Sequence, residues 1–133
     1  MLPDGVEITV GIDLVPVERM ARLAARGDAL EGRVFSPAEL EHCRNRGARR
    51  DECLAARFAA KEAVMKAFGQ GLADGVAFGH AEVVTGEGGR PAVRLHGRLS
   101  ELARERGLAT IELSLSHAGG IAAAIAVAVW RAG

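Results

Sequence analysis

Apolar and polar positions follow two rhythms along this chain, one of period two at the ends and one of period 3.6 in the middle. Residues 6–15 are rich in β-branched side chains and predict a strand, with Asp13 near its end. Pro16 then predicts the opening of a helix that runs to about Arg26, since proline is tolerated in a first turn. Ser36-Pro37-Ala38-Glu39 carries a helix start: a hydroxyl cap, a first-turn proline and a glutamate three residues after the cap. Residues 44–50 form a basic, polar connection. A long helix is expected over residues 51–68, stopped by Gly69-Gln70-Gly71.

Beyond that point the period shortens. Residues 80–85 and 92–96 read as two strands joined by Gly86-Glu87-Gly88-Gly89-Arg90-Pro91. Residues 100–106 read as a helix ended by Gly107. Residues 110–116 alternate, with Ile111, Leu113 and Leu115 on one side and Glu112, Ser114 and Ser116 on the other. His117-Ala118-Gly119-Gly120 is a turn, and residues 121–130 return as a strand buried on most sides. No internal repeat and no long linker interrupts the pattern. The expectation is a single α+β domain over residues 1–133.

The central helix holds the most information. Ala56, Ala59, Ala60, Ala63, Val64 and Ala67 share one face, small enough for close approach to a sheet. Arg57 and Lys61 fall on one flank of it, and Glu62 and Lys66 on the other. Taken blandly, these are surface pairs one turn apart, each worth only about 0.2–0.5 kcal/mol.

Composition narrows the functions. Seventeen basic residues balance 17 acidic ones, so no global basic field marks a nucleic-acid binder, and charged partners must be recognised locally. One Trp, four Phe and no Tyr disfavour a base-stacking platform. Cys43 and Cys53 lack zinc-ligand spacing. A disulfide between them stays open, but residues 1–5 carry no secretion-signal pattern, which favours two reduced thiols. The longest apolar run, residues 121–130, is too short to span a bilayer. The expectation is a soluble, cytoplasmic protein with no membrane and no nucleic-acid partner.

Polar residues that break apolar runs are the candidates for chemistry. Asp13 interrupts Val10-Gly11-Ile12-Asp13-Leu14-Val15, where a carboxylate is costly unless it is paired or binds a metal. Its simplest alternative is a strand-end cap. Glu62 is a second carboxylate beside apolar surface, and two carboxylates suit Mg²⁺ completed by substrate phosphates. Lys61 and Lys66 flank Glu62 and could neutralise phosphate oxygens, while Gly69-Gln70-Gly71 would let a phosphate pass close to backbone. No Walker-type loop is present. Arg19, Arg22 and Arg26 form a one-sided basic stripe, either a solvated face or a docking surface for an acidic helix. His117, beside Ser116, is by type more often a turn or core residue than a ligand.

Val10-Gly11-Ile12-Asp13-Leu14-Val15, Phe35-Ser36-Pro37-Ala38-Glu39, Arg57-Phe58-Ala59-Ala60-Lys61-Glu62-Ala63 with Lys66 and Gly69, Gly89-Arg90-Pro91 and Ser114-Leu115-Ser116-His117 occur here in one order. Together they resemble the holo-[acyl-carrier-protein] synthase family, the small 4′-phosphopantetheinyl transferases, over nearly the whole chain. The resemblance implies that family's fold, an antiparallel sheet packed with a long central helix, and a homotrimer with sites in the clefts between subunits. It implies transfer of 4′-phosphopantetheine from coenzyme A to a serine of an apo acyl carrier protein, releasing adenosine 3′,5′-bisphosphate. Asp13 and Glu62 match the Mg²⁺ ligands. Lys66 is the expected stabiliser of the leaving phosphate, and Glu62 or a metal-bound water near it is the candidate base. Arg49, Arg57, Lys61, Lys66, Gly69, Pro91, Ser116 and His117 match positions lining the coenzyme A site. Arg19 and Arg26 match carrier-protein contacts, with Arg22 on the same stripe. His80, Met65 and Ala118-Gly119-Gly120 depart from residues common in the family. A non-catalytic carrier-protein or coenzyme A binding module, or a coenzyme A sensor, is the competing reading.

Overall fold

The computed structural model describes residues 2–132. A three-stranded antiparallel sheet has the order β1-β5-β4, with β1 at Val6–Pro16, β4 at Leu108–Ala118 and β5 at Ile121–Arg131. A separate antiparallel hairpin pairs β2 (Ala81–Thr85) with β3 (Pro91–Leu95). Helix α4 (Arg50–Phe68) packs on one face of the larger sheet, against β1 and β5. Around it lie α1 (Val17–Ala25), α2 (Asp28–Val34), α3 (Pro37–Arg44) and α5 (Gly97–Arg106). No described helix is long and apolar enough to cross a membrane.

Small residues set the geometry. Along β5, Ala122, Ala124, Ala126 and Ala128 are buried on alternate positions, and on α4 so are Ala59, Ala60, Ala63 and Ala67. Across these alanines helix and sheet approach closely, and the large side chains Phe68 and Trp130 pack edge-on at the end of the interface. The closest point is Gly11, where a β-carbon would run into the carbonyl of Ala63 and lie 2.9 Å from the amide nitrogen of Ala67. Only glycine fits there.

The other face of the sheet is bare. Val10, Ile12 and Leu14 of β1 are 54, 59 and 63% exposed, and Ile8 and Ile121 are also exposed. These side chains form a contiguous exposed apolar strip along the strand.

Most expected elements are present, with informative differences. The capping box forms as read: Glu39 N–H donates to Ser36 Oγ at 3.2 Å, and Ser36 N–H donates to Glu39 Oε1 at 2.8 Å. The central helix ends at Gly69, which takes the left-handed conformation at φ 68°. Pro16 caps α1 from outside the helix and closes β1. Pro91 begins β3 rather than ending the turn. Helix α2 is unassigned by the sequence pattern, because its seven residues include Gly32 and only a short apolar stretch. It is held from outside by Glu31, whose two oxygens accept from Arg50 Nη2 at 2.9 and 2.7 Å.

The cysteines correct the expectation of two free thiols. Cys43 of α3 and Cys53 of α4 form a disulfide, with α-carbons 5.5 Å apart. The polar connection of residues 44–50 turns the chain back on itself and brings the two helices together at that point.

Candidate functional site

The carboxylates Asp13 and Glu62 come together because β1 lies so close to α4. Gly11 and Asp13 are two residues apart and so point to the same, inner side of β1. Gly11 touches the backbone of Ala63, the neighbour of Glu62. Asp13 therefore reaches the helix beside Glu62. Burial pushes the Glu62 carboxyl up, the negative charge of Asp13 pushes it further, and Lys66 and Arg19 oppose the rise. Lys66 bridges the elements: its ammonium donates to the Ile12 carbonyl at 2.8 Å and to Asp13 Oδ1 at 3.2 Å. Lys66 remains half exposed, so it can also face a ligand.

Among the described residues no group of three or more acidic, histidine or cysteine side chains converges on one point. A divalent ion here would have two protein carboxylates and take its remaining oxygens from substrate and water. That donor set suits Mg²⁺, a hard ion that keeps several non-protein ligands. Two like charges drawn together, one with its pKa raised, are also what a bound cation would relieve.

A basic cleft lies toward the other end of α4. One part, of about 490 Å³, is lined by His42, Arg46, Arg57, Arg90, Pro91 and Ser114 among others. An adjoining part, of about 150 Å³, adds Arg49, Glu52, Cys53 and His117. Arg57 stands at the junction. It is 8% exposed, it has no carboxylate within ion-pair distance among the described residues, and its Nε has no hydrogen-bond partner. Its Nη1 donates only to Cys53 Sγ at 3.5 Å. Burial and the nearby Arg46 push its pKa down, and Glu39 opposes them. A guanidinium stays charged in proteins, so this one is a buried cation lacking an anion. Phosphate fits the vacancy by charge and by fork geometry. His117, at the end of β4, points Nε2 at Glu52 Oε1, 3.3 Å away.

The expected site residues therefore divide. Asp13, Glu62 and Lys66 converge. Arg49, Arg57, Pro91 and His117 line the basic cleft. Gly69 belongs elsewhere, in a groove of about 900 Å³ at the far end of α4 that also includes Lys66, Thr9, Arg106 and Trp130. Ser116 is exposed on β4 and lines neither part of the cleft, where Ser114 appears instead.

Lys61 is a correction. It was expected to meet phosphate, but its side chain is fully buried. Its ammonium lies 2.8 Å from Glu39 Oε1 and donates to the carbonyls of Phe78 and Ala81 at 3.2 and 2.8 Å. Three donors meet three acceptors, and none is left for a ligand. Glu39 completes the knot by accepting from Val83 N–H at 2.8 Å. Burial pushes the Lys61 pKa down and Glu39 pulls it back.

Sequence reasoning gave no site role to His42, Arg46, Arg90 or Ser114, although Arg90 and Ser114 stand inside the motifs quoted for the resemblance. The basic connection of residues 44–50 was a signal for Arg46. Nothing in the sequence marked His42, which lies 3.2 Å from Arg46 through Nε2.

The basic stripe on α1 is exposed at Arg19, Arg22 and Arg26. Arg22 lies 4.0 Å from Glu18 on the same surface. Arg19 is near enough to Glu62 to act on its charge, so the stripe borders the carboxylate pair.

The description of the 4′-phosphopantetheinyl transferase superfamily matches residues 9–126. The chain is 47% identical over 120 residues to the holo-[acyl-carrier-protein] synthase of Moorella thermoacetica, covering 90% of this chain and 92% of that protein. Its fold is similar to a Chronobacterium ammoniagenes structure described as an ACPS-CoA complex, with a TM-score of 0.81 and 35% identity over 95% of this chain and 99% of that one. A Helicobacter pylori holo-[acyl-carrier-protein] synthase in complex with coenzyme A gives a TM-score of 0.77 and 26% identity over 90% and 98%.

Proposed function

This chain belongs to the 4′-phosphopantetheinyl transferase superfamily, and from that premise we propose that it is a holo-[acyl-carrier-protein] synthase. It moves 4′-phosphopantetheine from coenzyme A to a serine of an apo acyl carrier protein. The observation that carries the assignment of residues is the meeting of Asp13, Glu62 and Lys66 where β1 touches α4.

The roles follow from chemistry. Arg57 takes a phosphate of coenzyme A, with Arg49 and His117 beside it in the basic cleft and Pro91 along its wall. Phosphoryl transfer depends mainly on positioning and on stabilising charge. The serine oxygen forms a bond to the β-phosphorus of the pyrophosphate, and the bond from that phosphorus to the bridging oxygen breaks. The serine proton goes to Glu62 or to a water beside it, the two candidate bases. Negative charge gathers on the departing adenosine 3′,5′-bisphosphate, where Lys66 can meet it. Asp13 and Glu62 would hold Mg²⁺, which supplies neutralisation of phosphate charge when bound.

The carrier protein docks on the stripe of Arg19, Arg22 and Arg26, which borders the carboxylates. A homotrimer is the proposed assembly. The bare apolar face of β1 supports burial against another copy, and light scattering would give the mass. Its proposed substrates, coenzyme A and a carrier protein, support a cytoplasmic location.

Incubation of apo-carrier protein with coenzyme A, Mg²⁺ and this protein should add one phosphopantetheine mass. Asp13→Ala and Glu62→Ala should each abolish the gain without unfolding the protein. Full activity in both variants would refute the assignment. A carrier protein bound but never modified would support the non-catalytic module instead.

A further inference from the structure

The Cys43–Cys53 bridge sits in the wall of the basic cleft, and no role proposed so far uses it. Cys53 lies in the first turn of α4, is half-buried, and lines the cleft beside Arg49 and Arg57. Cys43 is fully buried behind it on α3. A thiol near a helix N-terminus and beside guanidinium groups is acidified, which makes it the attacking sulfur in exchange. Cys53 meets those conditions and Cys43 does not.

The disulfide also touches the proposed ligand site directly. Arg57, the buried cation without an anion, donates to Cys53 Sγ. In the disulfide that sulfur is a weak neutral acceptor, and the guanidinium is left for phosphate. In the reduced protein Cys53 can ionise against Arg57 and compete with phosphate for the same fork. Disulfides in reducing compartments are characteristically transient and redox-sensing.

We propose that Cys43 and Cys53 form a reversible dithiol–disulfide switch, with Cys53 the redox-active sulfur, that raises nucleotide affinity when oxidised. The oxidant is a low-molecular-weight disulfide such as glutathione disulfide. The Cys53 thiolate attacks one of its sulfurs, a mixed disulfide forms, and one glutathione thiolate leaves. The Cys43 thiol loses its proton and attacks the Cys53 sulfur, closing the bridge and expelling the second glutathione. Two protein thiols lose two electrons and two protons, and one disulfide becomes two thiols.

The switch rests on the reading of the cleft as the nucleotide site, so the probe is adenosine 3′,5′-bisphosphate, which carries no thiol. The full chain is equilibrated in glutathione buffers of graded poise. Free thiols are counted by alkylation and mass spectrometry, and affinity is measured by calorimetry at each poise. The expected result is one two-electron transition, with the reduced form binding about fivefold more weakly. Cys53→Ser should bind with one affinity at every poise. Equal affinity of the oxidised and reduced wild-type protein would overturn the switch, and so would a redox dependence that survives in Cys53→Ser. The wild-type comparison decides the matter even if Cys53→Ser fails to fold. Binding in neither form would overturn the nucleotide reading of the cleft and this inference with it, whatever the carrier-protein mass assay gives.

Discussion

The ammonium of Lys61 and the carboxylate of Glu39 lie 2.8 Å apart with both side chains fully buried. One residue comes from the central helix and the other from the capping box of α3. The pair joins two motifs that look unrelated in the sequence, and it also holds β2 through Val83. Removing one partner strands the other charge in the core. Lys61→Met should cost about 3–5 kcal/mol, and Lys61→Met with Glu39→Leu should recover only part of it, because the Ser36 and Val83 N–H groups then lose their acceptor. Urea midpoints of the single and double variants test this. At temperatures where Lys61→Met stays folded, its affinity for coenzyme A should be unchanged. A loss of affinity without a loss of stability would return Lys61 to the ligand site.

Arg57 should behave in the opposite way. Its guanidinium is buried with an orphaned Nε, so removing it relieves a cost in the free protein. Arg57→Met should leave the urea midpoint unchanged or higher. Coenzyme A affinity should fall by roughly 10- to 100-fold, the range expected for one charge-assisted contact. Arg57→Lys should recover only part of it, since an ammonium lacks the fork. Calorimetry on the three proteins separates these outcomes.

Gly11 is the fulcrum between fold and site. A β-carbon there would overlap the Ala63 carbonyl, and the obstacle is backbone, which cannot swing aside. Gly11→Ala should cost at least about 1–3 kcal/mol, the usual price of overpacking. Whatever fraction folds should have β1 displaced from α4, which separates Asp13 from Glu62. Transfer activity per folded molecule should therefore drop, while binding of adenosine 3′,5′-bisphosphate in the basic cleft persists.

These contrasts show which parts of the molecule could be read from the chain. Ser36 and Glu39 announced the capping box because its partners are three residues apart. Gly69 announced the end of α4 because only glycine enters its conformation easily. Asp13 stood out as a charge inside an apolar run. Lys61 could not be read in the same way. Its partners Glu39, Phe78 and Ala81 are distant in sequence, and a helical wheel displays it beside Arg57 as though both were exposed. The disulfide was equally hidden, because spacing cannot tell two nearby thiols from a bridge. The β-branched run of residues 6–15 marked a strand, but it could not say which of its faces α4 covers, and Val10, Ile12 and Leu14 lie on the uncovered one.

Glu82 gives a pH dependence. Its carboxyl is held below the usual carboxylate range, first by the hydrogen bond with His96 at 3.0 Å and then by the Ser36 side chain. The unfolded chain therefore takes up this proton at a higher pH than the folded one. The stabilisation is complete above the unfolded carboxylate value and is lost as pH falls through the folded value. Glu82→Gln should lower the urea midpoint at neutral pH, and the gap to the unsubstituted protein should narrow steadily as pH falls below the unfolded carboxylate value. A gap that stays constant across that range would mean that Glu82 acts through packing rather than charge.

Arg19 and Arg22 divide the docking stripe into two roles. Arg22 is an exposed cation whose ion-pair partner is Glu18, and it is not among the charges that act on Glu62. Arg19 also acts on Glu62, where its positive charge opposes the rise in proton affinity. Surface charge reversal alters encounter with a charged partner far more than it alters a separate small-molecule cleft. Arg22→Glu should thus weaken carrier-protein binding about tenfold or more at low salt and leave coenzyme A affinity unchanged, with the deficit shrinking as ionic strength rises. Arg19→Glu should weaken carrier binding likewise and should also lower turnover at saturating carrier protein, because a new negative charge beside Asp13 and Glu62 favours protonated Glu62. Surface plasmon resonance against an apo-carrier protein, with steady-state rates on both variants, distinguishes the two. Equal loss of carrier and coenzyme A affinity in Arg22→Glu would show that the stripe is not a docking surface.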